Sequence, residues 1–267
     1  MNILIFIAAL PVVLICMYVY AKDVEKEPKN LLGQLMLYGV ISIIPVIIVE
    51  LILDYFFNTS GNESYLILFL YCFIGIGLIE EIAKWIVSYK VVYKDPEFNE
   101  AYDSIVYAVF ASLGFALIEN ILYVFSNGVI TGLLRAFTSV PAHTCTGVMM
   151  GYFIGLSKTE EIKGNQKQSN KYMLFSVLMP ALLHTLYDTF ALSKMTNSFY
   201  LFLICTVCLY VISIVLIKKV SKNNTKFEGS NVTNEENFIY ARNIIIIITV
   251  ATALAGLVLK VVQFLWR

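Results

Sequence analysis

Long apolar runs alternate with short polar breaks along the whole chain. A bilayer core needs about 20 apolar residues per helix. Eight stretches meet that length, near residues 2–20, 31–56, 65–90, 101–126, 133–157, 172–192, 198–217 and 243–265. The pattern predicts an all-α fold, a polytopic transmembrane helical bundle of about eight spans. Pro45, Pro141 and Pro180 fall inside the second, fifth and sixth spans and are expected to kink them. The stretch NGVITGLLRAFTSVPA, residues 127–142, reads equally as a loop, an interfacial helix or the start of span five. The stretch SKNNTKFEGSNVTNEEN, residues 221–237, is polar without periodicity and reads as flexible loop, part of a cytoplasmic loop over about 218–242. No internal repeat is evident, so residues 1–267 read as one integral membrane domain.

Composition supports the membrane reading. The chain is 59% hydrophobic and 14% charged, with mean hydropathy +0.77. A soluble domain is about 45–50% apolar and about 25% charged. The partner implied is the lipid bilayer. Formal net charge is zero, so no global field points to nucleic acid. The N-terminal run MNILIFIAALPVVLICMYVY lacks a positive leading region and reads as a retained first span, not a cleaved signal. The five cysteines lie in apolar runs, and CTVC at 205–208 reads as ordinary membrane-helix packing.

Lysine and arginine placement orients the bundle. Fourteen of the nineteen follow odd-numbered spans, among them Lys22, Lys26, Lys29, Lys158, Lys163 and Lys219. Both termini are therefore expected outside the cytoplasm. The remaining basic residues include Arg135, on the outer side, and Lys84, inside a span.

Ionisable groups inside the bilayer cost several kcal/mol and usually mark a site facing the bundle interior. Span three carries Glu80, Glu81 and Lys84; span four Phe115, Glu119 and Asn120; span five His143; span six His184 and Asp188. Glu80–Lys84, Phe115–Glu119 and His184–Asp188 are each i,i+4, so each pair shares a helix face. At 1.5 Å per residue, these groups lie about 15 to 24 Å above the inner ends of their spans. One band of acids and imidazoles across four helices is the result. A buried polar network that only glues helices is the bland reading, and convergence at one depth argues against it. Glu50 and Asp54, near the outer end of span two, are expected to be solvated.

EEIAK (80–84), FALIE (115–119) and HTLYD (184–188) match EExxK, FxxxE and HxxxD in order on successive spans. With His143 between them, the chain resembles the PrsW family, bacterial intramembrane proteases that cleave anti-sigma factors. That family is related to the CAAX prenyl endopeptidases and the CPBP proteins. The resemblance covers about residues 65–192, and Asp103, Tyr107, Asn120 and Arg135 add to it. CAAX enzymes differ, with EExxxR, FxxxH and HxxxN in place of these motifs. The resemblance implies a four-helix catalytic core over 65–192 flanked by spans over 2–56 and 198–265, in the bacterial cell membrane. It implies a glutamate-activated water hydrolysing a peptide bond, in the stress-linked release of a sigma factor from a single-pass membrane anti-sigma factor. No cofactor is expected.

By that analogy Glu80 is the base and Glu81 pairs with Lys84 or supports a neighbouring helix, with the reverse order open. Adjacent glutamates point about 100° apart on a helix, so both cannot face one water equally. Glu119 would help hold the water, and His184, oriented by Asp188, would polarise the carbonyl. His143, Lys84, Phe115 and Asn120 are accessory. Processing of a lipidated peptide is the alternative substrate class. A zinc protease is the rival chemistry, since two His with Glu and Asp are zinc ligands, although no HExxH is present. A proton-coupled transporter is the non-enzymatic rival, and it predicts a polar path across the full membrane.

Overall fold

The computed structural model describes residues 2–57, 64–224 and 226–227. The predicted span 243–265 and the polar segment beyond 227 lie outside the described residues. Helix α1 is Asn2–Lys22 and α2 is Lys29–Phe57. A third rod runs through α3 (Tyr65–Cys72), a π-helical turn (Phe73–Gly77) and α4 (Leu78–Val92). Then follow α5 (Asp103–Asn127), α6 (Val129–Phe137), α7 (Ser139–Ile162), α8 (Gln166–Leu192) and α9 (Ser198–Lys222). Among the described residues there is no strand, only an isolated antiparallel bridge between Glu100 and Lys226.

Six of these rods are long and apolar enough to cross a membrane. The seventh, α7, is as long but less apolar. It is the enclosed helix of the bundle, with Ser139, His143, Thr144, Thr146, Ser157 and Lys158 all buried. Helix α5 is likewise central, 67% buried over its apolar window, against 22% for α2 and α9. The outer helices α1, α2 and α9 present bare Leu, Ile, Val and Phe to the lipid.

Span five is not the single helix 133–157. Gly128, with φ 85°, ends α5, and its N–H bonds to the Val124 carbonyl at 2.8 Å. Only glycine enters that left-handed region without a Cβ penalty. The chain then makes the short helix α6 and breaks again at Thr138 (φ −126°, ψ −72°) before α7. Of the three readings of 127–142, a separate short helix is the one observed. The prolines do not end their helices: α2 continues through Pro45 and α8 through Pro180. Pro141 is the third residue of α7, where a helix has no acceptor for its N–H.

Membrane helices gain little from apolar burial against one another, so small residues that let backbones touch decide their packing. Gly39 on α2 faces Gly114 on α5. A Cβ on Gly39 would sit 2.2 Å from the Ala111 carbonyl oxygen, and one on Gly114 would sit 2.1 Å from the Met36 carbonyl oxygen. No side chain fits at either position. This contact sets α2 against the helix that carries Glu119.

The positive-inside bias gives a test of orientation on described residues. Single cysteines at Asn165, between α7 and α8, and at Thr196, between α8 and α9, lie at opposite ends of α8. With an impermeant thiol reagent, N165C is expected to label only after permeabilisation and T196C in intact cells. The opposite pattern overturns the orientation.

Candidate active site

The π-helical turn Phe73–Gly77 comes immediately before the two glutamates. A π-turn inserts one residue into an α-helix and is frequent at functional sites. Gly77, its last residue, lies against α8: a Cβ there would meet Thr185 Oγ1 at 2.7 Å and the Ala181 carbonyl oxygen at 3.0 Å. Absence of a side chain therefore lets α4 approach α8 closely, one turn before Glu80 and Glu81 and one turn before His184.

Lys84 is the hub. Its side chain is fully buried. Its Nζ donates to Glu80 Oε2 (2.8 Å) and Glu81 Oε1 (3.0 Å) and lies 2.9 Å from His143 Nδ1. An ammonium has three protons and no lone pair, and here it meets three acceptors. Neutral His143 therefore accepts at Nδ1 and carries its proton at Nε2, which lies 2.7 Å from Glu119 Oε2. Nζ also sits 4.4 Å above the Phe115 ring.

A second chain of contacts runs through α8. His184 Nδ1 lies 2.9 Å from Glu81 Oε1 and 3.8 Å from Glu80 Oε2, and its Nε2 lies 3.3 Å from Asp188 Oδ2. The two imidazoles face each other edge to face, with centroids 5.2 Å apart. The four motifs thus come together in one constellation, as their shared depth predicts.

Arg135 belongs to the same constellation. On α6, its Nη2 lies 2.9 Å from Glu119 Oε2, its Nε donates to Asn120 Oδ1 at 3.0 Å, and its guanidinium stacks on Tyr123 at 3.9 Å. Asn120 in turn donates to the Ala8 carbonyl at 2.9 Å, fixing α1, α5 and α6 together. The charge count placed Arg135 as an outer-side basic residue; it is a partner of Glu119. The cue was its place in the family pattern.

A cavity of about 480 Å³ opens onto this cluster. Glu80, Glu119, His143, His184 and Asp188 line it, whereas Glu81 and Lys84 stand behind. That volume suits a peptide segment or other small substrate. Glu50 and Asp54 form part of its wall; Asp54 is exposed, as expected of a solvated outer position, whereas Glu50 is half-buried. Glu50 Oε1 is buried without a partner, and Asp54 accepts a bond from Tyr71 at 3.1 Å. Their i,i+4 spacing, the one cue available, places both on the face that α2 turns toward the cavity.

The donor set was tested for a metal. Glu80, Glu81, His143 and His184 each offer a ligand atom within 4.8 Å of the others. Both imidazoles turn Nδ1 toward the carboxylate pair and Nε2 toward Glu119 or Asp188, the carboxylate-backed pattern of metal-ligating histidine. The Lys84 ammonium takes one oxygen of Glu80, one oxygen of Glu81 and the His143 Nδ1 lone pair. Glu81 Oε2 is buried with no partner. A metal bonded to His143 Nδ1 at about 2.0–2.1 Å needs the lone pair that Lys84 holds, so in this arrangement Lys84 and not a cation occupies the centre of the donor set.

Comparison with known proteins points one way. A family described as "PrsW family intramembrane metalloprotease" matches residues 27–217. The chain is 36% identical over 214 residues to a protein named "Protease PrsW" from Oceanobacillus iheyensis, covering 80% of this chain and 94% of that one. It is 35% identical to the protein of that name from Geobacillus kaustophilus, covering 72% and 80%, and 32% identical to that from Bacillus subtilis, covering 80% and 94%. No solved structure matches.

Removing one partner of a buried ion pair costs about 3–5 kcal/mol. Lys84→Met would leave Glu80 and Glu81 facing each other without a cation. It is expected to lower the melting temperature in detergent sharply. The triple variant K84M/E80Q/E81Q is expected to recover stability, because no charge is then left unpaired. Failure of the triple variant to recover would show that Lys84 acts through packing and not charge.

Proposed function

Because this chain belongs to the PrsW family of intramembrane proteases, we propose that it hydrolyses a peptide bond of a single-pass membrane protein of the anti-sigma-factor type, using a water activated by Glu80. The observation that carries this reading is the division of the glutamate pair. Glu80 borders the cavity, while Glu81 is fully buried and held by Lys84 and His184.

In this reading a water in the cavity lies between Glu80 and Glu119. Glu80 takes a proton from it as its oxygen bonds to the scissile carbonyl carbon. The carbonyl oxygen becomes an oxyanion, which His184 stabilises by donating a hydrogen bond from Nε2 on the cavity side, with Glu81 behind the ring at Nδ1. Glu80 then returns the proton to the amide nitrogen, the C–N bond breaks, and a carboxylic acid and an amine leave. Glu81 stays with Lys84 throughout and keeps the ammonium aimed at Glu80. His143 transmits the position of Glu119 to Lys84, and Arg135 holds Glu119 from the other side. No cofactor enters the sequence.

A general base typically contributes about 10²- to 10⁴-fold. Co-expressed with a tagged single-pass anti-sigma factor, the wild type is expected to produce a shortened fragment on a blot. Glu80→Gln is expected to accumulate normally in membranes yet lose cleavage by about that factor. Full cleavage by Glu80→Gln would remove it as the base, and no cleavage by the wild type would overturn the substrate class. A prenylated or lipidated peptide assayed beside it separates the alternative substrate.

Two observations favour a metal-dependent reading: the carboxylates behind both imidazole Nε2 atoms, and the description of the matched family as a metalloprotease. Elemental analysis decides it. Purified, active protein is expected to contain well under one zinc per chain and to keep most of its activity after 1,10-phenanthroline. Stoichiometric zinc that is lost with activity in His143→Ala and His184→Ala would establish the metalloprotease instead.

A further inference from the structure

Four acidic side chains are buried together far from the catalytic cavity, where the turn between α1 and α2 meets the loop between α4 and α5. Asp23, Glu27, Glu100 and Asp103 are each at most 5% exposed. Carboxylate oxygens of Asp23, Glu100 and Asp103 lie within 4.8 Å of one another. Asp103 is fixed by its Oδ2, which accepts from the backbone N–H groups of Asn99 (3.0 Å) and Glu100 (2.6 Å). Its Oδ1 and both oxygens of Asp23 are buried without a well-formed hydrogen bond; the backbone N–H groups of Val24 and Glu27 lie near Asp23 but not in bonding geometry.

Other groups nearby do not fill that gap. Lys26, in the same turn as Asp23, donates instead to the carbonyls of Tyr20 (2.7 Å), Ala21 (3.2 Å) and Asp23 (2.5 Å) and so caps α1. Glu27 accepts from the Tyr107 hydroxyl. Glu100 accepts from Asn224 Nδ2, and its other oxygen lies 3.4 Å from Lys226 Nζ. Lys226 is itself 63% exposed and is shared with Glu25 at 2.8 Å. Among the described residues, two exposed ammoniums, Lys26 beside Asp23 and Lys226 beside Glu100, stand against four buried carboxylates.

We propose that Asp23, Glu100 and Asp103 form a second site that binds a hard divalent cation, Mg²⁺ or Ca²⁺, and clamps the α1–α2 turn to the α4–α5 loop. The donors are all carboxylate oxygens, with no imidazole or thiolate among them, which selects Mg²⁺, Ca²⁺ or Mn²⁺ over zinc or copper. The three unpartnered oxygens come from two separate segments, so a cation between them cross-links the chain. Asp103 opens α5, the helix whose other end carries Glu119, so the clamp anchors one catalytic helix at its far end.

Burial pushes Asp23 up to about 6 and Glu27 up to about 7. The groups acting on the pair are Lys26, Glu97, Glu100, Asp103, Tyr102 and Tyr107, with Lys226 on Glu100. A carboxyl raised in the folded state loses folding stability on ionisation. Without the cation, stability is therefore expected to fall as pH rises from about 4 through about 7. A bound cation offsets that loss.

Mn²⁺ is the probe, read by electron paramagnetic resonance on the purified full chain in detergent. About one bound Mn²⁺ per chain is expected, displaced by Mg²⁺ or Ca²⁺. Glu80→Gln should retain it, and Asp23→Asn should weaken it at least about tenfold, as should Glu100→Gln. No bound Mn²⁺ in the wild type overturns the site. So does Mn²⁺ that Glu80→Gln removes and Asp23→Asn or Glu100→Gln leaves in place. Thermal melting of the wild type needs no variant: Mg²⁺ or Ca²⁺ should raise the midpoint more at about pH 8 than at about pH 5. Stabilisation by acid alone, with no response to either ion, would show that protons and not a cation neutralise the cluster.

Discussion

A fully buried ammonium is tolerable only when every proton finds an acceptor and its charge is matched. Lys84 meets both demands through two glutamates of its own helix and an imidazole from α7. Much of the architecture serves that arrangement. His143 reaches Lys84 because α7 is threaded through the middle of the bundle, where its small and polar residues pack on all sides. His184 reaches Glu81 because Gly77 lets α4 approach the backbone of α8. Glu119 is held from both sides, by His143 and by Arg135. With the charges so locked, only Glu80 of the glutamate pair keeps an edge on the cavity. The electrostatic demand of Lys84 and the exposure of Glu80 to the cavity are thus one constraint.

Much of this was legible in the sequence because membrane physics is strict. Apolar runs of the right length gave the helices, and charges that lipid would reject gave the site. EExxK, FxxxE and HxxxD named seven of the side chains that meet at one place, and His143 is the eighth. What escaped lies in features with no linear signature. The π-turn at Phe73–Gly77 looks like any apolar run. The break at Thr138 depends on a backbone conformation that no residue type announces. Glu50 is partly enclosed where solvent was expected, because depth along a helix says nothing about which face is enclosed; the cavity wall exists only after α2 packs on α5 through Gly39 and Gly114. Arg135, counted on the outer side and part of the family pattern, meets Glu119 because its short helix α6 turns it back onto α5.

The choice between Glu80 and Glu81 marks the limit of sequence reading here. Both are acids, adjacent and at one depth, and helical geometry states only that they diverge. Packing separates them. Glu81 lies against α8 and is closed off by His184, whereas Glu80 faces the space between α2, α5 and α8. An identical pair of letters therefore has two physical roles, a counter-ion behind the wall and a group exposed to the reaction space.

The two acidic clusters also bear on the transporter reading, which needs a polar path across the whole membrane. Asp103 and Glu119 sit sixteen residues apart on α5, about 24 Å at helical rise. Between them Ile105, Val106, Ala108, Val109, Ala111 and Leu113 are fully buried. Tyr107 is tied to Glu27 on one side of this plug, and Ser112 donates to the His143 carbonyl on the other. The hydroxyls of that stretch are thus engaged within the protein, and the residues around them are close-packed hydrocarbon. Along α5 the acidic groups at its two ends are therefore separated by packed hydrocarbon. A protease needs that separation, because water must reach the scissile bond from one side of the bundle while the bilayer stays sealed.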